Sequence, residues 1–273
     1  MKKLEKRSTD AQNREMTAVF RRELQLWRAA RKRHVPAWKQ ELEKRVPEKI
    51  RTGLEQAFCR GFDLVFRQGR EIIEKSYSRE SILADHAIRD YAFRLKGERK
   101  QLKQIRRSAG LSGLRNLAMT GVEGVGLGAL GIGMPDVILF LGLLLRGIYE
   151  TALTYGFEYE SPKEQLLILK MMETAMSCGE NWERGNEEVD QMLQLETVDI
   201  TTEDLQEQIR RTASTFSMEL LLLKFIQGFP VVGILGGAGN PVYYHRIMQY
   251  VQLKYRKRYL LKIRTNGGVT TDG

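Results

Sequence analysis

The chain has 273 residues, of which 42% are hydrophobic and 29% are charged, and its formal net charge is +10. This composition is typical of a globular protein with a sizeable core and excludes a chain that is disordered throughout. Cys59 and Cys178 stand far apart, in neither a metal-binding nor a redox spacing, which favours a reducing compartment. Residues 1–15 are polar, so we expect no cleaved secretory signal there.

The charges are segregated along the chain. Residues 1–60 contain 17 Lys and Arg against 8 Asp and Glu, whereas residues 150–220 contain 5 against 16. Residues 221–273 are basic again, with 8 against 1. Basic ends that flank an acidic middle suit nucleic acid, anionic lipid or packing of the ends against the middle.

Helical periodicity dominates the first 107 residues of the sequence. Residues 11–34 predict a basic amphipathic helix, and Pro36 and Pro47 mark breaks after it. Residues 47–76 and 79–107 predict two further helices, the second ending in a basic cluster. Because no alternating run predicts a strand of any length, we expect an all-α fold.

Capping residues predict the starts of two later helices. Ser161, Pro162 and Glu164 fit an N-cap, a first helical residue and the reciprocal partner of a capping box. Thr201 with Asp204 forms a weaker cap of the same kind after the acidic residues. We therefore expect a helix to follow each cap.

Two apolar segments rich in glycine interrupt this pattern. The first, 124–145, has Asp136 as its only charged residue, and the second spans 225–245. Small residues one helical turn apart, such as Gly124 and Gly128, let two helix backbones approach closely in lipid or in a tight core. Both segments have about the length that spans a bilayer, although a charge near mid-segment opposes spanning. We expect the two segments to pack as a pair, as a buried core or inserted into a membrane.

The run Gly126-x-Gly128-x-x-Gly131 matches the dinucleotide-binding fingerprint in spacing alone. That motif functions between a strand and a helix, with an acidic residue roughly 20 positions later, and this context is missing. The three histidines stand singly, and no zinc-binding, P-loop or nucleophile-elbow motif occurs. We therefore predict no catalytic residue, no metal site and no cofactor.

Residues 243–262 predict a basic helix rich in tyrosine, directly after the second apolar segment. Such residues suit a membrane interface, a nucleic-acid face, or a packed helix with its tyrosines inward and its cations outward. The position of the helix favours the membrane interface. The candidate lipid contacts are Tyr250, Lys254, Arg256, Lys257 and Arg258.

Two stretches resemble motifs of the EcsC protein family. The first stretch contributes Gly131, Pro135, Asp136, Tyr155 and Gly156, and the second contributes Pro230, Gly233, Gly237 and Asn240. The similarity covers an EcsC-like helical domain, 45–264, which follows a basic helical arm, 1–44, outside the matched stretch. The composition after Arg264 predicts a disordered tail, 265–273. The resemblance implies an α-helical, membrane-associated bacterial protein that is linked to an ABC transporter and protein secretion and has no established catalytic residues.

Three functional hypotheses follow from these patterns. We favour a non-catalytic accessory protein at the cytoplasmic face of the cell membrane, which docks on anionic lipid or crosses the bilayer twice and has an ABC transporter as a candidate partner. The second hypothesis is a soluble helical enzyme or a carrier of a lipid or other hydrophobic ligand. Its pocket would contain Asp136, Tyr155, Asn240 and His245. The third is nucleic-acid binding through the basic ends, which no recognition motif supports.

Overall fold

The computed structural model describes residues 2–33, 48–118, 135–195, 199–226 and 239–268. Within these ranges every regular element is a helix, so the predicted all-α fold is confirmed. The α-helices are α1 (Lys2–Lys32), α2 (Glu48–Leu64), α3 (Arg70–Glu74), α4 (Arg79–Lys96), α5 (Arg99–Ala118), α6 (Pro135–Thr154), α7 (Pro162–Met176), α8 (Gly179–Gln194), α9 (Thr202–Ile226) and α10 (Gly239–Gly268).

Two of the three helices predicted in the first half of the chain are interrupted. The one predicted over 47–76 contains a π-helical turn, Val65–Gly69, between α2 and α3. The one predicted over 79–107 ends at Gly97, whose φ of +62° is left-handed and whose amide donates to the Phe93 carbonyl at 2.7 Å. A left-handed residue ends an α-helix, and the chain therefore changes direction before α5.

The two predicted caps differ in completeness. The Ser161 hydroxyl accepts from the Glu164 amide at 3.2 Å, but the Glu164 carboxylate lies 2.7 Å from Arg258 and does not reach back to the cap. The prediction that Glu164 caps the helix reciprocally is wrong, because its buried carboxylate pairs with the Arg258 guanidinium instead. Thr201 and Asp204 complete the box instead, with amide-to-side-chain bonds of 2.9 and 3.1 Å in the two directions.

Helix α10 lies at the centre of the bundle, packed against α1, α5, α6, α7 and α8. Its tyrosines are at most 3% exposed although they point in several directions around the helix. The inward tyrosines of the packed-helix alternative are confirmed, but Lys254 and Arg256 are buried as well, because α10 has protein on most sides. The buried tyrosines are Tyr243, Tyr244, Tyr250, Tyr255 and Tyr259.

An aromatic cluster joins helices α2 and α9. Phe216 of α9 packs edge-on against Phe58 and Phe62 of α2, with ring centroids 5.6 and 5.8 Å apart. Such pairs add about 0.5–1.5 kcal/mol each beyond the burial of their area. The candidate site lies elsewhere, where α1 packs against α10.

The glycine-rich segments fall largely outside the described residues, which omit 119–134 and 227–238. Their predicted pairing therefore stays a prediction, and so does the boundary of the arm at residue 44. None of the helices in the described ranges is long and apolar enough to cross a bilayer. Helix α10 continues to Gly268, so the chain is still helical where the sequence predicted the start of a disordered tail.

Candidate functional site

Four charged side chains from three helices meet between α1, α8 and α10. Lys254 is fully buried and contacts both Asp190, at 2.6 Å, and Glu23. Lys257 lies 2.7 Å from Asp190 and 3.1 Å from Glu23. Burial raises the pKa of the Glu23 carboxyl, but the two ammonium groups outweigh it and hold the pKa below its ordinary value. Burial also lowers the pKa of Lys254, against the opposing charges of the two carboxylates.

A second buried ion-pair group joins α1 to α5 and α10. The Glu15 side chain is 1% exposed and contacts Arg99 and Arg256. Burial raises the pKa of Glu15, yet its hydrogen bonds to these two guanidinium groups and their charges leave it below the ordinary value. Both carboxylates in the middle of α1, Glu15 and Glu23, therefore face inward and hold this helix on α10.

Arg258 and Tyr250 of α10 have internal partners as well. Arg258 lies 2.7 and 2.9 Å from the Glu164 carboxylate and 4.1 Å from the Phe157 ring centroid. Tyr250 donates to Asn186 at 3.0 Å. The expected outward lipid-contacting face is therefore corrected, because carboxylates, an amide and rings of neighbouring elements enclose it. The side chains concerned are Tyr250, Lys254, Arg256, Lys257 and Arg258.

A cationic pocket of about 440 Å³ lies between α1, α5, α10 and the turn after α6. Its volume is within the range of small-molecule sites, roughly 300–1,000 Å³. Among the described residues that line it, none is acidic. Its polar lining consists of Arg21, Arg22, Gln25, Arg106, Tyr155, Gln249, Gln252 and Arg256.

Three of the four arginines in the cationic pocket have no carboxylate partner in the described part of the chain. Arg22 donates to the amide oxygens of Gln25 and Gln249, each at 2.9 Å. Neutral amides orient a guanidinium without cancelling its charge. Arg21 and Arg106 form no ion pair with any described residue, so the pocket has an excess of positive charge.

Tyr155 supplies the inner wall of the cationic pocket. It is 2% exposed, and its hydroxyl has no hydrogen-bond partner among the described residues. Burial raises the pKa of this hydroxyl, while the nearby charges of Arg256 and Arg106 oppose the shift. The hydroxyl is therefore a neutral donor at pH 7. The next residue, Gly156, has a φ of +74°, and an added Cβ would collide with the His86 ring, so this turn requires glycine.

The outward face of α1 is cationic and partly apolar. Positions 14, 21 and 28 repeat every seven residues and so share one helix face. Phe20 and Leu24 beside them are 54% and 44% exposed. We call this surface the arginine stripe; it comprises the exposed residues Arg14, Phe20, Arg21, Leu24, Arg28 and Arg31.

The structure describes part of the sequence-predicted site. Tyr155 lines the cationic pocket, whereas His245 lines a separate, largely apolar cavity of about 270 Å³ beside Trp182, so these two candidates do not share a site. Asp136 and Asn240 lie near the starts of α6 and α10, with side chains outside the described atoms. Pro135 is the first residue of α6. The motif glycines and proline outside the described residues are Gly131, Pro230, Gly233 and Gly237.

Sequence reasoning missed the α1 half of the cationic pocket. Arg21 and Arg22 belong to the predicted basic helix and Arg106 to the basic cluster, but nothing local marks them as partners of Tyr155. The seven-residue repeat of Arg14, Arg21 and Arg28 was available as a sign of an outward cationic face.

Comparison with known proteins gives one match. The model of the EcsC protein family covers residues 10–260, which include every described residue of the cationic pocket and the whole arginine stripe. No curated protein and no solved structure matches the chain.

Proposed function

The chain belongs to the EcsC protein family, and we propose that it is a non-catalytic accessory protein that docks peripherally on the cytoplasmic face of a membrane through the arginine stripe. The observation that carries this proposal is the separation of charge on α1. Between residues 14 and 31 both carboxylates of the helix pair inward, and its outward face presents four arginines with Phe20 and Leu24.

The physical basis of docking is the attraction of the stripe to anionic headgroups. Each cation near such a surface contributes about 1 kcal/mol, so four arginines supply about 4 kcal/mol. The exposed rings and methyl groups of Phe20 and Leu24 add apolar contact at the headgroup boundary. This combination supports reversible docking, which salt weakens.

We further propose that the partner at the membrane is an integral protein of the ABC-transporter type, as the family resemblance implies. A peripheral protein held by α1 is restricted to the membrane surface, which raises its effective concentration beside such a partner. Co-purification of the transporter from detergent-solubilised membranes, lost with variants of the stripe, is the expected result. Equal recovery of the transporter with wild type and stripe variants would show that the partner does not bind through the arginine stripe.

The first prediction tests docking with the double variant Arg14→Gln/Arg28→Gln, which leaves the cationic pocket intact. Loss of two cations, about 2 kcal/mol, lowers partitioning onto vesicles that contain phosphatidylglycerol about 30-fold at low salt. The measurement is co-sedimentation with phosphatidylcholine vesicles that contain or lack the anionic lipid.

Arg60→Gln/Arg210→Gln is the matched control, because it removes the same charge from exposed positions on α2 and α9. We expect this control to bind vesicles like the wild type. Equal binding by both double variants, or no wild-type binding to anionic vesicles, contradicts the proposal. Salt-sensitive binding to duplex DNA without vesicle binding would favour the nucleic-acid hypothesis.

A further inference from the structure

We propose that the cationic pocket is a binding site for a phosphomonoester, held by Arg21, Arg22 and Arg106 with the Tyr155 hydroxyl as a donor at the inner wall. The site is built from α1, α5, α10 and the turn after α6, and the stripe residues Arg14 and Arg28 do not line it. It is therefore a second feature, separable from the docking surface.

The charge balance of the cationic pocket favours an anion as its ligand. Arg22 is paired with neutral amides, and Arg21 and Arg106 have no carboxylate partner among the described residues. Three like charges around one cavity repel each other, and a bound anion relieves that repulsion. The planar guanidinium fork binds phosphate oxygens in pairs, and a phosphate dianion neutralises more of this charge than a single carboxylate does.

Arg256 and Tyr155 line the inner end of the cationic pocket, and they differ in whether they already have a partner. Arg256 is already engaged by Glu15, which it shares with Arg99, so part of its charge is compensated within the protein. Tyr155 beside it is buried with an unpartnered hydroxyl. Buried tyrosine hydroxyls nearly always have a partner, and a phosphate oxygen supplies the missing acceptor.

The exposure of the lining residues indicates the direction of entry. Arg21 is exposed, Arg22 and Arg106 are half-buried, and Tyr155 is buried, so the phosphate group enters from the side of α1. Arg21 also belongs to the arginine stripe, which places the mouth of the pocket beside the proposed docking surface. The phosphomonoester therefore has two sources, a free phosphorylated glycerol or the headgroup of phosphatidic acid.

The second prediction uses glycerol 3-phosphate as the soluble probe, with glycerol as the uncharged comparison, in isothermal titration calorimetry. We expect saturable binding at one site per chain for the phosphorylated compound alone. Arg106→Gln weakens it at least about tenfold and Tyr155→Phe about tenfold, because each removes a bond to a charged group. Arg28→Gln removes the same charge outside the pocket and leaves the affinity unchanged.

Vesicles distinguish the lipid source from the soluble one. Phosphatidylcholine vesicles carry either phosphatidic acid or phosphatidylglycerol, adjusted to equal surface potential. A preference for phosphatidic acid that Arg106→Gln and Tyr155→Phe abolish assigns the site to the headgroup, and soluble binding without that preference assigns it to a free ligand. Tyr155→Phe removes only a hydroxyl that has no partner among the described residues, so we expect this variant to fold. It therefore tests the phosphate site even if Arg106→Gln fails to fold.

The inference is overturned by a wild type that neither binds glycerol 3-phosphate saturably nor prefers phosphatidic acid. It is equally overturned by affinities that Arg106→Gln and Tyr155→Phe leave unchanged in folded protein. Arg14→Gln/Arg28→Gln separates this failure from a failure of docking. It weakens binding to phosphatidylglycerol vesicles and leaves binding of glycerol 3-phosphate intact.

Discussion

Lys254 carries its charge inside the molecule, with a side chain that is fully buried. Removing an ammonium group from water costs several kcal/mol, and only well-placed opposite charges offset that cost. Glu23 from α1 and Asp190 from α8 provide them. The cluster therefore fixes the position of α1 on the bundle, and with it the α1 side of the cationic pocket.

The third prediction concerns Lys254→Met, which keeps the length of the side chain and removes its charge. Glu23 and Asp190 then share Lys257 alone, and we expect the free energy of unfolding to fall by about 3 kcal/mol. The measurement is urea denaturation at pH 7. Lys262→Met, at an exposed position of the same helix, is the control and changes stability by less than about 0.5 kcal/mol. A loss that is equal in the two variants would show that the buried cluster does not hold α1 in place.

Among the helices, α4 and α5 are separated by the conformation of one residue. Gly97 has a φ of +62°, and a Cβ added there lies 3.1 Å from the Leu4 carbonyl oxygen and 3.1 Å from the Ser8 nitrogen. Both of these atoms belong to the backbone of α1, which lies directly over the turn. The break is therefore also the point at which α1 begins its contact with the bundle.

The fourth prediction compares two glycine substitutions. Gly97→Ala lowers the free energy of unfolding by about 1–2 kcal/mol, because alanine is strained in the left-handed region and its Cβ meets backbone atoms. Gly53→Ala in α2 has no neighbouring atom within 4 Å and raises stability by about 0.5–1 kcal/mol, since alanine favours a helix interior. Thermal denaturation of the two variants checks the opposite signs. An unchanged or raised stability of Gly97→Ala would mean that the turn tolerates an ordinary residue.

At the scale of the molecule, the segregated charges of the sequence are largely used in packing. Basic side chains of α10 meet Glu164 and Asp190 from the acidic middle and Glu15 and Glu23 from the first helix. Packing of the ends against the middle was one of the three uses that the sequence allowed. The outward face of α1 and the cationic pocket hold arginines that have no carboxylate partner among the described residues.

The fifth prediction follows from this packing. The pKa values of Glu15 and Glu23 are held below the ordinary value by their cationic partners, although burial opposes the shift. A carboxylate with a depressed pKa in the folded state contributes stability that is present above the unfolded pKa and is lost as the pH falls toward the folded one. We therefore expect the urea midpoint to decline below about pH 5.

Glu15→Gln tests the origin of that decline. The variant has a lower urea midpoint than the wild type at pH 7, because Arg99 and Arg256 lose their charged partner. Its midpoint changes less between about pH 5 and about pH 3, since it lacks one of the groups that bind protons on unfolding. A wild-type midpoint that stays constant or rises over this range contradicts the assignment.

The sequence by itself determined the helical class, the helix starts at Pro162 and Thr202, and the family. Periodicity and caps depend on neighbours within one or two helical turns, so they can be recognised without knowledge of the fold. The family motifs required no geometry either, since their order and spacing are properties of the chain. Tyr155 was identified in this way as a motif position, and the second hypothesis placed it in a ligand pocket.

Only the tertiary structure decided which cations are available to a partner. The tyrosines and cations of α10 fit a membrane interface equally well in the sequence, but Glu15, Glu23, Glu164 and Asp190 enclose them. The cationic pocket likewise joins side chains from distant parts of the chain. A cation is neutralised inside the protein when a carboxylate lies within a few ångströms of it. That distance is set by helix packing and not by sequence order.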